Sequence, residues 1–282
     1  MSIDQKQVRG VFQKLESDLA KLSSKSQARS VHRFRTGTRR LQILLGELSP
    51  QLDRNDKKLL KSLGKIRKRA GKVRDLDVQL TALRSLKIPR QPRRKTQLVN
   101  HLIELRRAQE EKLRKEASKT TTREVRRRLK RAEKHYDPES AGDPLALSKA
   151  MLDKLTRAND PPNEAVLHQY RILTKRARYA AEFARKSEEA NRFIAQLTRL
   201  QDALGDWHDW LTLTQTAKRH IGDLHESPLV AELHNVTGAK FRRAIAVLTQ
   251  SRSKPAAILD TATKVPLSTS GESVSHSASS AA

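Results

Sequence analysis

The sequence predicts an all-α protein made of two four-helix bundles related by a pseudo-two-fold axis. Three observations carry that expectation. Apolar residues recur at i, i+3, i+4 and i+7 along most of the chain, the period of amphipathic helices. Glycine is scarce, 10 in 282 residues, and no alternating run marks a strand. The chain also repeats itself at a spacing of about 135 residues. That is too long for a solenoid unit and suits an internally duplicated bundle.

Taken in order, Val8, Val11, Phe12, Leu15, Leu19 and Leu22 mark a first helix. A second is expected over 28–48, stopping before Pro50, and a third over 59–86, stopped by Pro89, because proline cannot continue a helix. Helices over 96–118 and 123–135 follow. Asp137, Pro138, Gly142, Asp143 and Pro144 then punctuate the chain and suggest a boundary, dividing it into halves 1–138 and 139–250. Four more helices are expected over 145–158, 164–185, 188–221 and 228–248. Past Leu248 the period is lost. Residues 251–282 read as a disordered Ser-rich tail; seven of the last fifteen residues are Ser.

Residues 31–40 align with 167–176. His32 falls on His168, Phe34 on Tyr170, Arg35 on Arg171, Thr38 on Thr174, Arg39 on Lys175 and Arg40 on Arg176, an offset of 136. Gly71 and Asp75 fall on Gly205 and Asp209 at offset 134. A weaker echo at offset 131 pairs Leu98, Val99 and Leu102 with Leu229, Val230 and Leu233. Slowly drifting offsets are what loop trimming between two related halves produces.

Stepping about 100° per residue puts Phe34, Thr38, Leu41, Leu45 and Leu48 on one arc, the core face. His32, Arg35 and Arg39 form a stripe beside it. The second copy faces Tyr170, Thr174, Ala177 and Ala181 to the core and carries His168, Arg171, Lys175 and Arg178 in the neighbouring stripe. Arg40 and Arg176 lie further round, toward solvent. Charge on a helix normally occupies the side away from the core. Cations at the border line a groove or pair with acids, and few acids match them in register, so the missing anion points to a ligand. In the third helix Arg67 and Arg74 share a face with Gly64 and Gly71. Two glycines a heptad apart cost a helix about 1 kcal/mol each against Ala, which makes sense where another helix or a ligand approaches closely. The second copy has Gln201 and His208 at the two Arg positions and Thr198 in place of Gly64. Asp75 and Asp209 read either as acceptors orienting nearby cations or, more simply, as ordinary bundle salt bridges.

The balance of 58 Lys and Arg against 31 Asp and Glu, a net charge of +27, repels itself and suits a polyanionic partner. Nucleic acid, an anionic membrane surface and a phosphate polymer are all compatible with it. The absence of cysteine excludes disulfide scaffolds, Cys-based zinc fingers and thiol enzymes. No run reaches the roughly 18 apolar residues of a membrane span, and no signal peptide opens the chain, so a soluble, cytoplasmic protein is expected. Cations rather than acids surround each repeated histidine, which argues against a metal. His208 beside Asp209 resembles a general-base pair, but no nucleophile, carboxylate cluster or phosphate-cradling loop accompanies it. No enzymatic activity and no cofactor are expected. The basic run over 123–134 reads as a solvated face able to widen an electrostatic funnel.

The element His32–Arg35–Arg39–Arg40, repeated at His168–Arg171–Lys175–Arg176, resembles the CHAD family, the helical domain named for its histidines. So do the segments around Gly71, Asp75 and Asp77, and around Leu200, Gly205, His208 and Asp209. The resemblance spans about 5–250 and implies two pseudo-symmetric four-helix bundles with inorganic polyphosphate bound along a basic groove. Members occur in bacteria and archaea, and some associate with polyphosphate or polyester granules. Many carry an N-terminal triphosphate-tunnel domain; none is evident here, so its hydrolase activity is not expected. Carried over, the polyphosphate-binding set is His32, Arg35, Arg39, Arg67, Arg74, His168, Arg171, Lys175 and Arg178. Gln42 opposite Arg178 and Gln201 opposite Arg67 leave open whether both halves bind equally. Binding is expected to strengthen as His32 and His168 protonate near a pKa of about 6.5. Nucleic-acid binding and a granule-scaffold role are the alternatives. Against the first, aromatics make up only 4% of the chain, and single-strand binders present aromatic platforms.

Overall fold

The computed structural model describes residues 3–24, 26–87, 92–156, 163–222 and 227–253. Among them, nine α-helices follow one another: α1 (Gln5–Ser24), α2 (Ala28–Ile43), α3 (Arg54–Ser85), α4 (Pro92–Glu116), α5 (Lys119–His135), α6 (Pro144–Thr156), α7 (Glu164–Ala181), α8 (Glu188–Ile221) and α9 (Pro228–Ser253). The only extended pairing among these residues is an isolated bridge between Ile3 and Ala184, so the all-helical expectation holds.

Side chains at the helix starts explain where the helices begin. Asp53, Ser118, Asn163 and Ser187 accept backbone N–H bonds at the starts of α3, α5, α7 and α8, satisfying donors that an α-helix leaves open. Asp143 does the same for Leu145 and Ala146, at 2.8 and 3.1 Å. Proline occupies the first position of α4, α6 and α9, where its missing N–H costs nothing. Gly222 stops α8 with φ of 110°, a backbone angle that glycine adopts freely.

Several boundaries differ from the sequence reading: α3, α4 and α5 begin at Arg54, Pro92 and Lys119, four or five residues before the expected 59, 96 and 123. The second helix does reach Leu48, but its last turn, Leu44–Leu48, is a π-helix; a widened turn has no periodicity signature. The seventh helix stops at Ala181, and the chain beyond turns so that the Phe183 carbonyl accepts the Asp4 N–H at 2.8 Å. The ninth runs on to Ser253, three residues into the expected tail; residues 254–282 lie outside the described residues, as do 157 and 158 at the expected end of the sixth helix.

Four apolar clusters hold the helices. The largest joins α1, α2, the first part of α3, the end of α4 and α5, around Phe12, Phe34, Leu63 and Val125, and takes in Tyr179, Ala180 and Phe183. Two others pack α6, α7, α8 and α9, around Trp207 and Leu204 in one and Ala177 and Leu197 in the other. The fourth draws on both halves of the chain. Leu80 and Leu83 of α3 and Leu98 and Leu102 of α4 meet Leu213 and Ala217 of α8 and Leu229, Val230 and Leu233 of α9. Residues that echo each other in sequence therefore share one buried cluster. Beside it α2 packs on α7 and α3 on α8, which brings the two basic stripes together.

Leu102→Ala and Leu233→Ala should each lower the unfolding free energy by about 2–5 kcal/mol, read as a shifted urea midpoint. Because that cluster spans both halves, both variants should keep a single transition.

Candidate anion-binding site

The buried faces of α2 and α7 are as the wheel places them. Val31, Phe34, Thr38 and Leu41 are buried on α2, and Leu167, Tyr170, Thr174 and Ala177 on α7. Anchored this way, the bordering stripes face each other across the α2–α7 contact. Arg35 and Arg39 act electrostatically on both Arg171 and Lys175. Arg67 of α3 joins through Arg39 and Arg35, and Arg74 through His32 and Arg35. Seven of the nine expected residues thus form one positive furrow: His32, Arg35, Arg39, Arg67, Arg74, Arg171 and Lys175.

His168 lies at the second-half end of this furrow, beside Arg171 and with its ring 5.5 Å from that of His208. Arg178 behaves differently. Its Nε donates to Gln201 Oε1 at 2.8 Å, a terminal nitrogen binds Glu182, and its guanidinium lies 4.9 Å from the centre of the Tyr179 ring. No sequence signal marks Glu182 for this role; Gln201 does stand where the first half has Arg67.

The acids near the furrow are few. Arg35 Nη1 contacts Asp75 Oδ1 at 3.4 Å, and the Asp75 side chain is 60% exposed. Asp209 faces Arg171 and Lys175. Asp75 thus forms an ion contact with a repeated arginine, whereas Asp209 acts on Arg171 and Lys175 only electrostatically and has its direct contact with His208, at 3.7 Å. Among the described residues, Arg67 Nε and Arg171 Nε are buried with no hydrogen-bond acceptor, an uncommon condition for polar groups in native proteins.

Burial is the first cause of the shifted titrations. It holds Arg35, Arg67 and Arg171 below the usual guanidinium range, with neighbouring cations adding to the effect. Burial, then Arg171, Arg39 and Arg35, push Lys175 from 10.5 down to about 7, against the opposing pull of Asp209. His32 is lowered by burial and then by Arg74, Arg35, Lys175 and Arg40; His168 by burial, His208 and Arg171. The expected histidine window near pH 6.5 therefore moves to more acidic pH, because the stripes that suggested it also repel the imidazolium.

Arg40 and Arg176 are substantially exposed, at 36% and 42%, as the wheel suggested, but each is also engaged in an ion pair that the wheel does not show. Arg40 Nε reaches Glu182 Oε2 at 2.7 Å, and Arg176 Nη2 reaches Glu47 Oε1 at 2.8 Å. Each ties its own helix to a carboxylate at the far end of the other. The wheel reads one helix at a time and carries no information about a partner helix. The glycine argument also changes. Gly71 lies under the Arg35 guanidinium, but a Cβ there would sit 3.8 Å away, in ordinary van der Waals contact, so the space does not require glycine. No atom lies within 4 Å of such a Cβ at Gly64 or Gly205, so no described helix crosses there and the backbone stays open.

Two clefts continue the furrow. One, of about 740 Å³, lies between α1, α2 and α7 and is lined by Lys14, Lys21, His32, Arg33, Lys175 and Arg178, among others. The other, of about 350 Å³, lies along α8 at Gly205 and Asp209. Lys175 and Gln201 line both. Among the described residues no group of three His, Asp or Glu side chains could hold a metal ion, and no helix is long and apolar enough to cross a membrane.

The sequence profile of the CHAD domain matches residues 6–218, three quarters of the chain. The chain belongs to the CHAD family. The crystal structure of the CHAD domain from the plant Ricinus communis shares the fold with a TM-score of 0.54 and 18% identity, covering 87% of this chain and 84% of that one. PptA from Streptomyces chartreusis does so with a TM-score of 0.59 and 14% identity, covering 86% of this chain and 98% of that one. At these identities the likeness is one of fold, and it extends the CHAD architecture to a plant. No curated protein sequence matches the chain.

Lys175→Met tests the furrow's electrostatics. A base whose folded pKa lies below its unfolded value destabilises the fold most where both states are protonated, here below pH 7, and the penalty fades as pH rises toward 10.5. With each tenfold change in proton affinity worth about 1.4 kcal/mol, the variant should gain on the order of 4 kcal/mol at pH 6. The gain should shrink steadily at pH 8 and 9, read from urea unfolding; a gain independent of pH would mean Lys175 is not held in a positive, desolvated place.

Proposed function

We propose that this chain binds inorganic polyphosphate, without hydrolysing it, in the furrow where α2 and α7 bring their basic stripes together. One observation carries the reading: seven basic groups converge from three helices while the nearby acids, Asp75 and Asp209, are partly exposed at 60% and 39%. A chain of phosphates supplies the negative charge the fold leaves out. Arginine donates bidentately to phosphate oxygens, and lysine adds a compact charge. Helix positions at i, i+3 and i+7 advance about 4.5 and 10.5 Å, so one stripe meets several phosphates of an extended polymer. The buried Arg67 and Arg171 Nε atoms are donors ready for those oxygens.

Membership of the CHAD family, which is associated with polyphosphate, supports the same conclusion. We further infer that residues 1–138 and 139–250 are duplicated halves. A cytoplasmic setting, at polyphosphate or polyester granules, goes with this reading. Nucleic acid gains little support from the aromatic residues, since Phe12, Phe34, Tyr170, Tyr179, Phe183 and Trp207 are buried, and Tyr136, Phe193, Trp210 and Phe241 are half-buried against the apolar clusters, whereas stacking on bases needs exposed rings.

Titration with polyphosphate at two salt concentrations tests the proposal. Arg35→Gln and Arg171→Gln should each weaken binding about tenfold, in line with the loss of a charge-assisted hydrogen bond. Each should also reduce the dependence of log K on log salt by about 0.7 to 0.9. Arg107→Gln and Lys112→Gln, exposed on α4, should cost twofold or less; equal losses at both pairs would mean diffuse attraction and no site. Orthophosphate released on incubation with the purified protein would overturn the non-hydrolytic part.

A further inference from the structure

The outward face of α3 carries a second charge pattern that the furrow does not use. Arg54, Lys58, Lys61, Lys65, Lys68 and Lys72 stand at i, i+4, i+7, i+11, i+14 and i+18. At about 100° per residue they fall within an arc of about 80°, and they span about 27 Å of helix. All six are exposed, and none makes an ion pair among the described residues. A solvated helix face ordinarily mixes signs, because like charges three or four apart repel. In the first turn Arg54 and Lys57 oppose the helix dipole, where Asp53 and Asp56 complement it; no acid stands in the stripe beyond that turn. The corresponding positions of α8 are Glu188, Arg192, Ala195, Arg199, Asp202 and Asp206. The stripe therefore belongs to the first half alone and is not a by-product of the repeat.

Both ends of the stripe are structured. At its start, Arg54 and Lys58 line a cleft of about 520 Å³ opposite Arg127, Arg128 and Arg131 of α5. Glu124 holds Arg127 and Arg128 at 2.7 and 2.6 Å, leaving Arg54, Lys58 and Arg131 without an ion pair among the described residues. Toward its far end, Gly64 and Gly71 lie around the helix between the stripe and the inner residues Arg67 and Arg74. Over Gly64 a Cβ would have nothing within 4 Å. The wall of side chains between furrow and outer face is interrupted there.

We propose that the outer face of α3 is a second, one-sided binding track for linear polyphosphate, entered from the furrow over Gly64 and ending in the α3–α5 cleft. This rests on the polyphosphate reading of the furrow. A linear phosphate polymer fits a straight, narrow row of cations spaced about 4.5 to 6 Å apart. Neither the stripe nor its cleft offers an aromatic residue for a base, which favours polyphosphate over nucleic acid. Chains short enough to be held in the furrow should not sense the track; longer ones should.

The experiment compares tripolyphosphate with long-chain polyphosphate on a variant carrying Lys58→Gln, Lys61→Gln, Lys65→Gln and Lys68→Gln. Its urea midpoint should equal or exceed the parent's, since it removes repulsion; the two half-variants, Lys58/Lys61 and Lys65/Lys68, should give intermediate effects and serve if the full one does not fold. Tripolyphosphate affinity should stay within about twofold. Long-chain affinity should fall about tenfold or more, with the salt dependence reduced by about 3, the sum for four charges. A control removing Arg107, Lys112, Lys115 and Lys119 should lose far less; an equal loss overturns the track in favour of a general field. Unchanged long-chain binding overturns the track and leaves the furrow standing. The furrow is judged separately, by Arg35→Gln and Arg171→Gln on tripolyphosphate; if those do nothing while the stripe variant loses long chains, the furrow reading fails and the stripe survives. If single-stranded DNA of matched phosphate count loses more affinity than polyphosphate, the stripe serves nucleic acid and the assignment is overturned.

Discussion

The rest of this fold depends on crowding positive groups into a partly dry place without supplying matching acids. Two like charges about 4 Å apart repel by about 4 kcal/mol at an effective dielectric near 20, so a cluster of several cations works against folding. A buried ion pair would relieve that strain internally, as happens for Arg106, whose Nε and Nη1 meet Asp77 and Glu110 at 2.6 and 2.7 Å. Around Arg67, Arg171 and Lys175 relief is incomplete, and the depressed Lys175 near 7 records the residual cost. That cost is also the reservoir for binding, because donors already stripped of water and held in place lose little more when an anion arrives.

What resists the repulsion is a set of contacts one residue away from it. Arg39 and Lys175 face the furrow, whereas their neighbours Arg40 and Arg176 form reciprocal ties to Glu182 and Glu47. A step of about 100° around the helix separates a charge kept free from a charge used to clamp. The clamps act across the α2–α7 seam, where repulsion between stripes is strongest. Below the stripes, Phe34 and Tyr170 are buried and fix the rotation of each helix. The mixed cluster of Leu83, Leu102, Leu213 and Leu233 joins the long helices α3, α4, α8 and α9.

The helices, and the faces that α2 and α7 bury, are legible in the sequence because periodicity is a local property, whereas the starts of α3 and α5 are set by the caps Asp53 and Ser118, which precede the first strongly periodic residues and so escape a reading by period. Five members of the furrow, His32, Arg35, Arg39, Arg171 and Lys175, are legible because repetition marks them, and Arg67 and Arg74 by their heptad spacing beside Gly64 and Gly71. The roles of Arg40, Arg176 and Arg178 are not, because each is decided by a carboxylate or amide on another turn or another helix, such as Glu182 for Arg40, 142 residues on. The histidine titrations escape a local reading for a related reason: a pKa depends on neighbours brought in by packing, and here those neighbours are cations. The π-turn at Leu44–Leu48 leaves the apolar pattern intact and so gives no sign of itself. Gly64 stands out in the sequence by its cost, yet only the three-dimensional surroundings reveal that nothing crosses over it.

The two segments that echo each other in sequence also differ in a direction that matters for a linear anion. Where the first offers Arg67 and Arg74, the second has Gln201 and His208. Gln201 accepts from Arg178 at 2.8 Å and helps keep that cation occupied, and His208 stands against His168. One end of the furrow therefore carries the permanent charge of Arg67 and Arg74, where the other has an amide and an imidazole at the aligned positions. The outer face of α3 continues the permanent-charge side, while the matching face of α8 places Asp202 and Asp206 in its way. The exposed face of α3 is therefore more positive than the aligned positions of α8, and under the proposed function a flexible polyanion would be drawn toward α3.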